Sequence, residues 1–163
     1  MCLFICEILI FLDKMLVNKY LDKEKAFSMK ICGIDLKASD AIIAVIEVND
    51  GTVSYIPLNL KKISIQNDEN KSEIESFYET FQTFLRDNDI DKVVIKKRAK
   101  KGRFAGGADT FKMEGIIQLN NQCDVIFTSP QAISSYKKNN KITIPTNLLK
   151  YQEEAYLSAL TGI

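Results

Sequence analysis

The stretch Lys30–Glu47, KICGIDLKASDAIIAVIE, decides the fold. Its opening KICGIDL is a short apolar run ending in a carboxylate, and strand alternation puts Ile31, Gly33 and Asp35 on one face. The polar break Lys37-Ala38-Ser39 leads into AIIAVIEV, Ala41–Val48, whose β-branched content and length suit a second strand joined by a tight hairpin. Asn49-Asp50-Gly51 follows. An Asp-Gly pair between apolar runs favours a hairpin turn, so Thr52–Pro57 is expected as a third strand, antiparallel to the second. These three strands form a meander.

Toward the C-terminus the period changes. Ile74, Phe77, Tyr78, Phe81 and Leu85 recur at helical spacing, with Ser72 as the expected cap and Glu75 three residues on, which predicts a helix over Glu73–Asp87. Asp91–Ile95 reads as a short buried strand, most simply parallel to the first because a helix connects it to the meander. A polar, glycine-containing loop spans Lys96–Asp109. A second helix with Met113, Ile116 and Ile117 on one side comes next, and then a fifth strand at Val125–Phe127. Ser129-Pro130 opens a short helix with proline at its first position, interrupted by the Lys-rich stretch Lys137–Lys141, and Pro145-Thr146 precedes a last helix ending near Leu160. The expected order is βββαβαβα with one extra short helix before the last.

Toward the N-terminus the reading is different. MCLFICEILIFL, residues 1–12, is much shorter than the roughly 20 apolar residues that span a bilayer. It also lacks the preceding basic residues and the small-residue cleavage site of a secretory signal. Leu3, Cys6, Ile10 and Phe11 would mark one side of a helix. The expected division is an N-terminal extension, residues 1–28, outside the core, and one domain over 29–163.

Composition bounds the chemistry. The chain has 163 residues, 46% apolar and 26% charged, enough for one packed core and too short for two ordinary domains. Its formal net charge is +1, so electrostatic binding requires a local cluster rather than a whole-molecule field. Histidine is absent, which removes imidazole acid–base chemistry, His-based metal sites and Ser-His or Cys-His nucleophiles. Carboxylates, lysines or thiols must do any chemistry. The four cysteines form no Cys-x-x-Cys pair; Cys32 and Cys123 read as small core residues, and the cytoplasm is the expected compartment.

The element order and its residues resemble the ribonuclease H-like superfamily, in its RuvC-like branch of Holliday junction resolvases. GIDLKASDAIIAVIE, residues 33–47, is similar to the first hairpin of those proteins. VVIKKRAKKGRFAGGADTFKMEGII, residues 93–117, is similar to their fourth strand, loop and following helix, and EEAYLSAL, residues 153–160, to their last helix. The chain is also similar to a bacterial family of unknown function built on this core. The resemblance implies an α/β fold with a five-stranded mixed sheet, an antiparallel meander followed by two parallel strands. It also implies a site where acids from strand one, strand four and the last helix hold two Mg²⁺ or Mn²⁺ ions about 4 Å apart around a phosphodiester.

Carried over residue by residue, the resemblance is incomplete. Asp35 takes the strand-one place and Glu154 the place of an acid in the last helix, as candidate catalytic and metal-binding residues. Tyr151 stands where the resolvases have another acid, and Lys96 where strand four should bring a glutamate. An ammonium there opposes cation binding, because two like charges 4 Å apart interact by about 4 kcal/mol at an effective dielectric of 20. Asp109 or Glu114 would be replacement carboxylates if the neighbouring helix swung inward. A third reading of the same residues is a structural salt bridge between Asp35 and Lys96.

Lys96, Lys97, Arg98, Lys100, Lys101 and Arg103 concentrate basic charge in one loop, residues 96–103, where Gly102, Gly106 and Gly107 let a ligand approach the backbone. DNA or RNA phosphates are the natural partner, with Phe104 available to stack on a base. The bland alternative is a solvated loop. Three functional readings follow: nucleic-acid (polyanion) binding with a degenerate two-metal nuclease site, a non-enzymatic protein-interaction module, and a weakly active metal-dependent nuclease. Gly33-Ile34-Asp35-Leu36 with Ala38-Ser39 is also similar to the phosphate hairpin of the sugar kinase and actin superfamily, which clamps ATP between two such domains where this chain supplies one.

Overall fold

The computed structural model describes residues 28–103 and 105–163. Phe104 and residues 1–27, including Cys2, Cys6 and the expected helix side at Leu3, Ile10 and Phe11, lie outside the described residues.

The meander forms as its pattern requires. β1, Ser28–Lys37, pairs antiparallel with β2, Asp40–Asn49, and β2 with β3, Thr52–Ile56. Both turns have two residues. Asp50 and Gly51 take positive φ, 47° and 79°, the conformation that gives an Asp-Gly hairpin the twist of its strands. In the first turn Ala38 takes φ 51°, a conformation an L-residue adopts at a cost. The sheet also contains a short strand that the sequence did not announce: β4, Lys62–Ser64, pairs with the Asp40 end of β2. Asp40 holds it by accepting from Ser64 Oγ and from Lys62 Nζ, and the Ser64 bond keeps the Asp40 carboxyl below the usual carboxylate range.

β5, Lys92–Lys96, lies parallel to β1, and β6, Asp124–Thr128, parallel to β5, so the path across the sheet is β3-β2-β1-β5-β6. Helix α1, Lys71–Asp87, is capped by Asn70, which accepts from the Ser72 backbone N–H, rather than by Ser72 itself. Helices α2, Ala108–Gln118, and α3, Pro130–Asn139, follow β5 and β6. Ser129 caps α3 with Pro130 at its start as expected, but Lys137 and Lys138 continue the helix instead of interrupting it. The last helix starts later than Pro145-Thr146 suggested. That pair begins a turn closed by the Leu148 N–H on the Pro145 carbonyl, a 3₁₀ turn covers Lys150–Gln152, and α4 spans Glu153–Leu160.

Alternation along the strands sorts the core into two layers. Cys32, Ile34, Leu36, Ile43, Val93 and Ile95 face α1 and α2, where Phe77, Phe81, Met113 and Ile117 meet them. Ile31, Ile42, Ala44, Ile46 and Val94 face α3 and α4. Cys32 is buried and its thiol is pushed far above the ordinary range by desolvation; Cys123 is half-buried and raised to about 11 by the same cause. Both side chains pack as small apolar groups.

Removing residues 1–28, of which Ser28 is the first residue of β1, is expected to leave a cooperatively melting protein, because the strands from Met29 onward line both described layers. Paired thermal and denaturant melts check this, and a loss above about 3 kcal/mol, the scale of one or two large buried side chains, would place the extension in the core.

Candidate functional site

The site is built where α4 crosses the sheet, and Gly33 makes the crossing feasible. A Cβ at Gly33 would lie 1.9 Å from the Ala155 carbonyl oxygen and 2.5 Å from the Ala159 nitrogen, so helix backbone rests directly on strand backbone. Two residues along the same face stands Asp35, only 6% exposed. The ladder pairs Ile34 with Ile95, which sets Asp35 beside Lys96 at the carboxyl ends of β1 and β5. The close crossing brings the first turn of α4, and with it Glu154, over the same point.

Lys96 therefore lies between two carboxylates. Its Nζ donates to Glu154 Oε2 at 2.7 Å and lies 3.6 Å from Asp35 Oδ1. The Lys96 and Asp35 side chains are largely enclosed, and Glu154 is partly open to solvent. Asp35 Oδ1 is buried without a hydrogen-bond partner, so the ammonium charge is what stabilises it there. Glu153 turns the other way and pairs with Lys150. Of the two glutamates that open α4, it is Glu154 that meets Lys96, with Asp35 on the other side of the ammonium.

A two-metal centre does not fit these residues. Mg²⁺ requires near-octahedral oxygen coordination at 2.0–2.1 Å, and the space between Asp35 and Glu154 holds an ammonium instead. A divalent ion about 4 Å from that ammonium would meet roughly 8 kcal/mol of repulsion at an effective dielectric of 20. Tyr151 is exposed on the 3₁₀ turn, and among the described residues no group of three or more His, Cys, Asp or Glu is placed to hold a metal ion.

The basic loop starts from the same edge of the sheet. The Lys97 N–H donates to the Thr128 carbonyl at 2.8 Å, and the loop folds back on itself through Gly106 N–H to Ala99 O at 2.9 Å and Ala105 N–H to Gly102 O at 3.0 Å. Gly102 takes φ 95° at the bend, and Gly106 lets the Phe111 ring and the Arg98 stem close over the loop base. Lys97, Lys100, Lys101 and Arg103 are exposed, whereas Arg98 is half-buried with its Nε enclosed. Arg98 thus belongs partly to the loop's anchor. Phe104 is outside the described residues.

Two contributors went unnoticed in the sequence. Gln152 is buried and donates through Nε2 to the Ile43 carbonyl at 2.6 Å, tying the turn before α4 to β2; a polar residue in a polar stretch carries no signal for this. Gly33 as a contact point had a signal, since a glycine inside an apolar strand often marks close backbone approach.

Comparison with known proteins bears out the fold. The structure of RuvC from Thermus thermophilus superposes with a TM-score of 0.64 at 12% identity, covering 82% of this chain and 92% of that one. T. thermophilus RuvC in complex with a Holliday junction substrate gives 0.61 at 10% identity over the same shares. The fowlpox virus resolvase with its substrate Holliday junction DNA gives 0.51 at 18%, covering 82% and 96%. At these identities the shared property is the ribonuclease H-like fold. Curated proteins give no match to the sequence. A family model described as "Protein of unknown function (DUF3010)" matches residues 29–162, nearly the whole described domain, and the chain belongs to that family.

Proposed function

We propose that this protein binds nucleic acid through the loop 97–103 and does not cleave it by two-metal chemistry. The observation that carries the reading is the loop itself. Lys97, Lys100 and Lys101 are exposed, have no ion-pair partner among the described residues, and sit on a loop tied by backbone bonds beside the Asp35–Lys96–Glu154 cluster. Exposed, unpaired lysines on an anchored segment lose little conformational freedom when they neutralise phosphates, and binding gains from the counterions released. Two of the similar folds are structures with Holliday junction DNA, which supports a polynucleotide as the polyanion. Weak metal-dependent cleavage is disfavoured by the ammonium between the two carboxylates.

The test is binding of a labelled DNA duplex at two salt concentrations. Three phosphate contacts account for about a 40-fold change in affinity between 50 and 200 mM salt. Lys97→Ala/Lys100→Ala/Lys101→Ala is expected to remove that part of the salt dependence with an unchanged melting temperature, since exposed charges add little to stability. Equal affinity and salt slope in wild type and variant would discard the loop as the binding surface.

The interaction-module reading has one observation of its own: among the described residues β6 is an unpaired sheet edge, and Ile126 on it is exposed. It would gain ground if no polyanion bound at any salt concentration. Among the described residues no helix is long and apolar enough to cross a membrane.

A further inference from the structure

We infer that the nucleic-acid surface is bipartite, the second half being the outer face of α3 and the segment after it, and that it contacts sugar–phosphate backbone rather than bases. This rests on the loop reading above and extends it to a surface of defined chemistry.

The argument begins with where charge is absent. Residues 92–108 and 129–152 contain half of the chain's 22 Lys and Arg and none of its 21 Asp and Glu. A net charge of +1 therefore hides a strong segregation. The fold brings the two acid-free segments together: β5 and β6 are parallel neighbours, and the Lys97 N–H to Thr128 carbonyl bond joins the loop to the residue before the α3 cap. The two acids that open α4 are already matched, Glu154 by Lys96 and Glu153 by Lys150. Acidic side chains instead gather on α1, at Glu73, Glu75, Glu79 and Asp87, across the sheet.

The face of α3 has chemistry suited to phosphate. Ile133 points to the core, while Pro130, Gln131, Ser134, Ser135 and Lys138 line a shallow groove on the outside, and all but Pro130 are neutral or cationic donors. Lys137 and Lys141 are exposed nearby and have no ion-pair partner among the described residues. The ten residues of α3 span about 15 Å, close to the axial rise of four phosphates of one duplex strand. Beside Pro130 the groove offers hydroxyl, amide and ammonium donors and no aromatic ring to stack on a base, so backbone contact is the outcome its chemistry favours.

The experiment compares three triple variants of the full chain on one labelled 30-base-pair DNA duplex and its RNA counterpart. Lys137→Ala/Lys138→Ala/Lys141→Ala is expected to weaken binding of both about tenfold or more at 100 mM salt, with the salt slope reduced by two to three. Lys61→Ala/Lys71→Ala/Arg86→Ala removes the same charge from other surfaces and is expected to change little. If wild type binds neither nucleic acid, the loop reading falls and this inference with it. If wild type binds and only the loop variant weakens, the loop reading survives and the second half is overturned. Equal weakening by the two non-loop variants would reduce the effect to net charge, and stronger binding to phosphatidylserine vesicles than to either duplex would replace nucleic acid by a lipid surface. Melting temperatures within a few degrees of wild type confirm that each variant is folded.

Discussion

Gly33→Ala is expected to cost about 3 kcal/mol or more, the upper range for forcing extra atoms into a packed core, and to release α4 from the sheet. The obstruction is backbone, not a side chain that can turn aside. The new Cβ would stand 1.9 Å from the Ala155 carbonyl oxygen and 2.5 Å from the Ala159 nitrogen. Relief requires the helix to retreat by more than an ångström, which would loosen the packing of Ala155, Leu157 and Ala159 and draw Glu154 away from Lys96. Urea unfolding measures the loss, and amide exchange across residues 153–160 is expected to rise in step. A variant that melts with wild type and retains exchange protection in α4 would show that this crossing is looser than its geometry.

Lys96→Glu is expected to have the next largest effect, and a conditional one. Removing one partner of a buried ion pair costs roughly 3–5 kcal/mol, and the lower end applies because Glu154 is 44% exposed and can turn to solvent. Asp35 cannot turn away, and the substitution surrounds it with like charge. The same three carboxylates are hard oxygen ligands, so the variant should bind Mn²⁺ more tightly than wild type. Mn²⁺ at a hundred times its Kd would restore about 2.7 kcal/mol. Calorimetric titration and melts with and without Mn²⁺ read both halves, and the double variant Lys96→Glu/Asp35→Asn is expected to lose most of the metal response. Cleavage need not return, since Tyr151 remains in place of an acid and hydrolysis requires the phosphate placed to a fraction of an ångström. Mn²⁺-dependent cleavage by wild type that vanishes in Asp35→Asn would overturn the non-hydrolytic reading.

The parts of this fold legible in the sequence are those written locally. Alternation through Ile31, Gly33 and Asp35 identified the face that α4 covers, and Asp50-Gly51 identified a turn whose positive φ values the structure shows. The Asp35–Lys96 pairing was legible once β5 was taken as parallel to β1, because adjacent parallel strands with matched ends set such residues side by side. β4 escaped notice because three residues carry no periodicity and its pairing with Asp40–Ile42 is a long-range event. The cap of α1 was displaced by two residues because Asn70 and Ser72 are both good caps, and the turn Asn67–Asn70 selects between them. Gln152, the residue that seats the turn before α4, makes its decisive bond to Ile43, more than a hundred positions away. No local pattern encodes that bond.

The ammonium at the carboxyl end of β5 also changes what the protein depends on. A free ion reaches two carboxylates only as its concentration allows, and dilution or a chelator removes it. Lys96 is covalently tethered by the strand that positions it, so its effective concentration at Asp35 and Glu154 is set by the reach of its own side chain rather than by the surroundings. The junction of β1, β5 and α4 thus carries its own counter-charge from the moment the chain folds.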